Sequence, residues 1–367
     1  MIQIDSQSHI ELRTESHREK NNKGNMLRLL SKIYGSVVNA KNKRYDNGKA
    51  EIVKCNVPVI SVGNLTTGGT GKTPYVIYLA NLLIESGIRP VIIGKGYRKK
   101  RSGYVLVSDG SFVVNDPDLS GDEMLLIAKK VKAPVVAHES KSEAALIAEK
   151  HFSPDVILID DGFQHRKLHR DIDILLIDSA SLSNQNLLPA GRLREPLSSV
   201  SRANIIIETG KIGDDKELRN YLTNNQKVFK AEIIPDSLIG LNGKIIDDEE
   251  IIKIKDKVLA VSGIAKPERF ENTLTSNGFN VVKHIKYRDH KRYSQYIIEE
   301  ITAECKKIGV NQIIATEKDF VKIRMYSSIF EKNNIECYVF PIKIEIVDGQ
   351  NEFRDYILSK IESFKEK

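Results

Sequence analysis

From Met26 the apolar residues Leu27, Leu30, Ile33, Tyr34, Val37 and Val38 fall three and four positions apart, which predicts an amphipathic helix over 26–50. Residues 1–25 are polar and aperiodic. They read as a disordered tail, or as sequence preceding a start at Met26. Beyond residue 56 the pattern changes to short, continuous apolar runs: VPVISVG (57–63), RPVIIGKG (89–96), PVVAH (134–138), DVILIDDG (155–162), DIDILLIDS (171–179) and NIIIET (204–209). Such runs mark strands buried on both faces. Helical stretches such as TPYVIYLANLLIESG alternate with them, so the expected fold is α/β with a parallel sheet. After a charged stretch, KIGDDKELRNYLTNNQK, the pattern restarts with KVLAVSGIA (257–265), NVVKHIKY and NQIIATEKD (311–319) and closes on DYILSKIESFKEK. The expected organisation is a main domain over 51–250, a second, smaller α/β domain over 251–345 and a C-terminal helix over 346–367.

The chain has 367 residues, 41% hydrophobic and 29% charged, enough for two domains with a core each. Its three cysteines, Cys55, Cys305 and Cys337, are far apart and match neither a disulfide scaffold nor a zinc module. No apolar run reaches the roughly 18 residues of a spanning helix. A secreted, disordered or integral membrane protein is therefore not expected. The net charge of +7 favours anionic partners without naming one. The segment 26–50 concentrates it, with Arg28, Lys32, Lys41, Lys43, Arg44 and Lys49 against the single acid Asp46. That segment can lie on an anionic membrane surface or pack on the domain that follows, and the two readings are compatible.

The strongest chemical signal is VISVGNLTTGGTGKTP (59–74), a glycine-rich loop between an apolar strand and a helix. The stretch Thr66, Thr67, Gly68, Gly69, Thr70, Gly71 can curl its N–H groups around phosphate oxygens at a helix N-terminus. Lys72 would meet the terminal phosphates of ATP, and the Thr73 hydroxyl would ligate Mg²⁺. The fold class expected is thus a P-loop NTPase-type parallel-sheet domain with a second, smaller α/β domain. The usual pattern has glycine where Thr66 stands. Asp160 and Asp161 end the run VILI, where an acid can hold Mg²⁺ or its water shell. Consecutive aspartates point different ways, so one of them faces the metal directly.

Other candidates carry bland alternatives. Asp122 and Glu123 open a helix, where acids also serve the helix dipole. His290 sits in the polar turn RDHKRYS. Arg192 and Arg194 lie in LLPAGRLREP, suited to a phosphate clamp or to solvent, and GYRKKR (96–101) is a basic turn.

In their order, VPVISVGNLTTGGTGKTP, GKGYRKK, GDEMLLIA, DDGFQHRKLHRDIDILLID, LLPAGRLREP and GIAKPERF…DHKRYS…TEKDFVKI resemble the tetraacyldisaccharide 4'-kinase family. DDGFQHR together with LLPAGRLREP is the specific part. The resemblance runs from about Met26 to at least Val321. It implies transfer of the γ-phosphoryl of ATP to the 4'-hydroxyl of an acylated glucosamine disaccharide phosphate, a lipid A precursor, with Mg²⁺. It implies further that Asp122 is the general base and His290 its partner from the second domain, and that Gln164, His165, Arg192 and Arg194 line the same cleft with Glu123. Arg194 would neutralise charge on the transferred group. The expected place is the cytoplasmic face of the bacterial inner membrane, as a peripheral monomer. Met124 departs from the family's proline, Lys141 from an arginine, and Glu208-Thr209-Gly210 from a Thr-Lys pair. No role is carried over to the last two places, and TEKD (316–319) has none assigned.

A membrane-cycling P-loop ATPase is the alternative. That group has a lysine directly before the two glycines, and this chain has Thr67. Nucleic acid is not an expected partner: the chain lacks tryptophan and any basic stripe interleaved with aromatics.

Overall fold

A computed structural model describes residues 6–97, 99–100, 102–178, 185–209 and 216–366, and the side chains of all of these except 6–23 and 216–217. Of the sequence features singled out, Arg98, Arg101, Gly210 and the stretch 211–215 lie outside the described residues.

Helix α1 (Ser6–Asp46) precedes an alternating unit of β1 (Val59–Asn64), α2 (Lys72–Glu85), β2 (Pro90–Gly94), β3 (Val105–Asp109), α3 (Pro117–Ser120), α4 (Asp122–Lys130), β4 (Pro134–Ala137), α5 (Lys141–Phe152), β5 (Val156–Asp160), β6 (Ile172–Asp178), β7 (Ile205–Thr209), α6 (Lys216–Arg219) and β8 (Lys227–Pro235). A second unit holds β9 (Ile239–Gly240), α7 (Asp248–Ile254), β10 (Val258–Ser262), α8 (Pro267–Ser276), β11 (Val281–Lys286), α9 (Gln295–Ile308), β12 (Gln312–Ala315), α10 (Glu317–Ile323), α11 (Ser327–Lys332) and β13 (Glu336–Val339). The chain then ends with β14 (Ile342–Ile346) and α12 (Gln350–Lys365).

The first sheet has nine strands in the order β14-β8-β7-β6-β1-β5-β2-β4-β3, parallel except at its edges β3 and β14. Its centre is the strands read from sequence, each buried along its length (VISVGN, VILID, IDILLID) and covered on both faces. One face packs against α2, α4 and α12 through Val76, Leu79, Met124, Ile127, Phe353 and Ile357. The other packs against α5 through Ala144, Ala145 and Ala148. The second sheet, β11-β10-β12-β13-β9, is parallel apart from β9.

Three boundaries differ from the sequence reading. The main domain ends at β8 rather than near residue 250, because Leu238, Ile246 and Ile254 pack with Val258, Phe270 and Tyr338 in the second core. The last strand and helix do not follow the second domain but return to the first sheet. There β14 pairs antiparallel with β8, Ile344 opposite Ile233, and Ile357 and Ile361 are fully buried in the first core. Pairing over such a span leaves no local trace. Finally, helical backbone begins at Ser6, where a disordered tail was expected. Glu11, Arg13, Glu15, Arg18, Glu19 and Lys20 are helix-compatible, and no proline interrupts the run.

If α12 is part of the first core, Ile357→Ala leaves a cavity beneath the sheet that binds the site. An unfolding free energy lower by about 3 kcal/mol is expected in urea titrations; a change under about 0.5 kcal/mol would mean that the helix is peripheral.

Candidate active site

The loop after β1 is shaped by two glycines that no other residue replaces cheaply, Gly68 at φ +111° and Gly71 at φ +79°. Gly71 caps α2, so Lys72 and Thr73 occupy its first turn. Thr66 is buried, forms a β-bridge with Leu193 and has no positive φ, so glycine is not required at that place. The Thr67 N–H donates to the Arg192 carbonyl (2.8 Å) and the Arg194 N–H to the Leu65 carbonyl (2.7 Å). LLPAGRLREP is thereby stitched along the phosphate loop. Asn64 adds a brace the sequence reading missed: its amide donates to Thr70 Oγ1 (2.7 Å) and its Oδ1 accepts from Lys72 (3.4 Å) and from Arg194.

The two aspartates that end β5 part company. Asp161, at φ +55°, receives both Arg194 nitrogens (2.8 and 2.9 Å) and lies 3.7 Å from Lys72 Nζ. Lys141, 3% exposed, donates to its carbonyl oxygen. Burial would raise the Asp161 carboxyl, but Lys72, Arg194 and Lys141 outweigh it and hold it far below the usual range. Asp160 faces the other way. Its Oδ1 is buried without a partner among the described residues. Burial first, then the charge of Glu123, push its carboxyl up to about 7. That suits one divalent cation. No group of three His, Cys, Asp or Glu is placed to hold a metal ion among the described residues, so such an ion would complete its shell with phosphate oxygens and water.

Asp122 and His290 meet across the two domains. Asp122 opens α4 at 6% exposure, and His290 Nδ1 lies 3.0 and 3.1 Å from its two oxygens. Burial would raise this carboxyl, but the His290 hydrogen bond and the ammonium groups of Lys318 and Lys322 bring it down to about 2. His290 sits at φ +58°, a left-handed backbone that costs a side-chain-bearing residue about 1 kcal/mol or more. Its N–H donates to Gly263 O (3.1 Å) and Asp289 Oδ1 (3.0 Å), and both oxygens hold it there. The TEKD segment underpins that turn. Thr316 caps α10, and the fully buried Asp319 accepts from the Gly263 N–H (2.7 Å) and Thr316 Oγ1 (2.6 Å).

The two clusters adjoin at the C-terminal edge of the parallel sheet. Gly94 ends β2, and a side chain there would strike the Met124 thioether and approach Asp160 Cβ, so α4 starts beside the strand that carries Asp160. Met124 thus has a packing role where the family pattern has proline. Glu123 accepts from Lys318 (3.2 Å). Gln164 is half-buried and His165 exposed, both following Phe163, which abuts Gly63. Arg192 is exposed and joins the loop through its carbonyl alone among the bonds described. Asn64, Lys141, Lys318 and Lys322 are the partners not assigned from sequence. For the last two the signal was present as a pair four apart in TEKDFVKI, on one helix face.

Phosphate-binding backbone alone would fit any P-loop NTPase. The Asp122 carboxylate stands apart from the ion pairs of the loop as a second acidic centre of the site, and the class that fold and matches define is that of the P-loop kinases. A family model described as Tetraacyldisaccharide-1-P 4'-kinase matches residues 24–362, and the chain belongs to that family. It is 35% identical over 343 residues to the tetraacyldisaccharide 4'-kinase of Chlorobaculum tepidum, covering 91% of this chain and 96% of that one. It is 36% identical over 320 residues to that of Aquifex aeolicus, covering 86% and 93%. The crystal structure of LpxK from Aquifex aeolicus in complex with ATP superposes with a TM-score of 0.74 over 90% of this chain and 97% of that one, at 33% identity. The membrane-cycling ATPase reading is not favoured by these matches.

Since the folded Asp122 carboxyl lies below its ordinary value near 3.9, its partners stabilise the folded state above about pH 4 and cease to as the pH falls toward 2. Wild type should exceed Asp122→Asn in unfolding free energy by about 2 kcal/mol at pH 7. The gap should narrow below pH 4; one that stays constant down to pH 2.5 would contradict the ionic origin.

Proposed function

We propose that the chain transfers the γ-phosphoryl group of ATP to the 4'-hydroxyl of an acylated glucosamine disaccharide 1-phosphate, giving the 1,4'-bisphosphate. The observation that carries this reading is the Asp122–His290 pair beside a phosphate loop, in a chain that belongs to the 4'-kinase family. The named relatives act on the tetraacyl disaccharide, and the solved one holds ATP.

In this reading the loop N–H groups of Gly68–Thr73 and the α2 N-terminus bind the β- and γ-phosphates, and Lys72 meets their oxygens. Arg194, fixed by its fork on Asp161, stabilises charge on the transferring group. Asp160 and Thr73 would hold Mg²⁺, which neutralises phosphate charge when bound. Asp161 positions Lys72 and Arg194 rather than the ion. Asp122 takes the proton of the sugar hydroxyl as its oxygen bonds to phosphorus, and His290 orients the carboxylate. Phosphoryl transfer runs through a loose transition state, in which the hydroxyl sheds its proton late, so a weakly basic carboxylate suffices. Glu123, Gln164, His165 and Arg192 border the cleft that receives the sugar. Both halves of the acid–base pair come from one chain, which supports action as a monomer.

Helix α1 supports work at a membrane surface. No helix among the described residues is long and apolar enough to cross a membrane. One side of α1 grips the body: Ser31 donates to the Leu187 carbonyl (2.7 Å), Tyr34 to the Arg194 carbonyl (2.9 Å), and Arg166 pairs with Asp46 (2.7 Å). The other side leaves Met26, Leu29, Leu30, Ile33 and Val37 exposed, 44–64% each, beside the basic residues. An apolar stripe with basic flanks suits an anionic bilayer such as the cytoplasmic face of the inner membrane.

Purified protein should transfer label from ATP to the tetraacyl disaccharide 1-phosphate in detergent, and Asp122→Ala should lose about 10²-fold or more. ATP hydrolysis that never labels the lipid would defeat the kinase reading. For the surface, Ile33→Ser/Val37→Ser should partition at least about tenfold more weakly onto phosphatidylglycerol vesicles than wild type. Unchanged partitioning would assign the contact elsewhere.

A further inference from the structure

The contacts around His290 determine more than its position. Its Nδ1 faces the Asp122 carboxylate, and its Nε2 lies 3.0 Å from Lys318 Nζ. Lys318 also reaches Asp289 Oδ1 at 3.1 Å and Glu123 Oε1 at 3.2 Å. An ammonium group has three N–H donors and no lone pair. With Glu123, Asp289 and His290 as its three neighbours, each donor has an acceptor. Burial opposes the charge on Lys318, but Glu123, Asp122 and Asp289 more than compensate and hold its ammonium above the ordinary lysine range.

We propose that Lys318 is a positioning residue that fixes the tautomer of the catalytic pair: by donating to His290 Nε2 it keeps that nitrogen unprotonated, so the ring is neutral and its one proton, on Nδ1, points at Asp122. The inference rests on the reading of Asp122 as base and goes beyond it by assigning the state of its partner. The chemical consequence is direct. An imidazolium against Asp122 would add a full positive charge to those of Lys318 and Lys322 and weaken further a carboxylate that must accept a proton. A neutral Nδ1–H donor still orients the carboxylate without that charge.

Among the described residues and contacts, the charged groups that face the ring are Asp122 and Glu123 on α4, Asp289 in its own turn with Nε2 at 3.7 Å, and Lys318 on α10. Lys322, also on α10, reaches the pair through Asp122 Oδ2 at 3.4 Å. The Tyr97 ring packs on the imidazole at a centroid distance of 4.3 Å. Among these, Lys318 is the cation placed against Nε2. The carboxylates Asp289 and Glu123 stand farther from that nitrogen, at 3.7 and 3.9 Å. The device also spans the domain boundary, since Glu123 belongs to the first domain and Lys318 to the second.

The test is ¹⁵N NMR of the histidine side chains in the full-length protein at pH 7, with His290→Gln used to assign the resonance. In wild type, His290 should show a protonated Nδ1 and an unprotonated Nε2; a ring protonated on Nε2 would overturn the proposal without recourse to any Lys318 variant. In Lys318→Gln the Nε2 signal should move to the protonated position, kcat should fall about tenfold or more, and KM for the disaccharide should change less than twofold. Lys318→Arg, which can still donate to Nε2, should keep the wild-type signature and recover most of kcat. An unchanged His290 signature in Lys318→Gln would refute the role of the lysine. A wild-type rate in Asp122→Ala would instead refute the underlying reading of the base, so the two failures are distinguishable.

Discussion

Asp122 and His290 stand 168 positions apart and belong to units built on different sheets, yet their side chains are in hydrogen-bond contact. Everything at the site depends on that approach. Two charged carboxylates, Asp122 and Glu123, are brought to a domain boundary, where burial would be costly if they were alone. Lys318 and Lys322 come from the other side to neutralise them. Around this centre the boundary is secured by Leu125 and Leu126 against Val321, by Lys130 to Glu317 (2.5 Å), and by Asp178 to Lys266 (2.6 Å) and Arg269 (2.5 Å). With Asp122 as the base proposed above, a base supplied by one domain and oriented by the other would be complete only with the domains together, which would tie chemistry to closure.

The same economy governs the nucleotide side. The loop 187–196 bonds to the phosphate loop through its backbone, to Asp161 through Arg194 and to α1 through the Leu187 and Arg194 carbonyls. Gly35 of α1 is within reach of Leu187, where any side chain would collide at 2.8 Å. The helix that presents its apolar stripe outward is therefore mechanically continuous with Arg194. In the proposed reading, docking on a lipid surface and holding the phosphate loop would fall to one packed unit.

The central strands and the phosphate loop were legible in the sequence because their signals are local: continuous apolar runs, and glycines whose positive φ is dictated by the turn they make. Asp122 and His290 were named from the resemblance, since an acid opening a helix and a histidine in a polar turn have ordinary explanations. Asn64, Lys141 and Lys318 could not be assigned, because each acquires its role from partners outside its own element. The amphipathic face was read as one stripe. The structure divides it, with Tyr34 and Val38 turned toward the body and Leu30, Ile33 and Val37 exposed, because Ser31, Gly35 and Asn42 are small or polar enough to let the helix lie close. Strand β8 and the edge strand β14 escaped notice for a related reason: half-exposed strands alternate, and their pairing is non-local.

The central claim is that Asp122 and His290 act as one catalytic unit assembled from two domains. A double-mutant cycle on kcat/KM for the disaccharide, with Asp122→Ala, His290→Ala and the double variant, tests it most directly. For a unit, the double variant should be about as slow as Asp122→Ala alone, since His290 acts through that carboxylate. Losses that multiply, with the double variant slower than wild type by the product of the two single losses, would show two independent contributions and contradict the account.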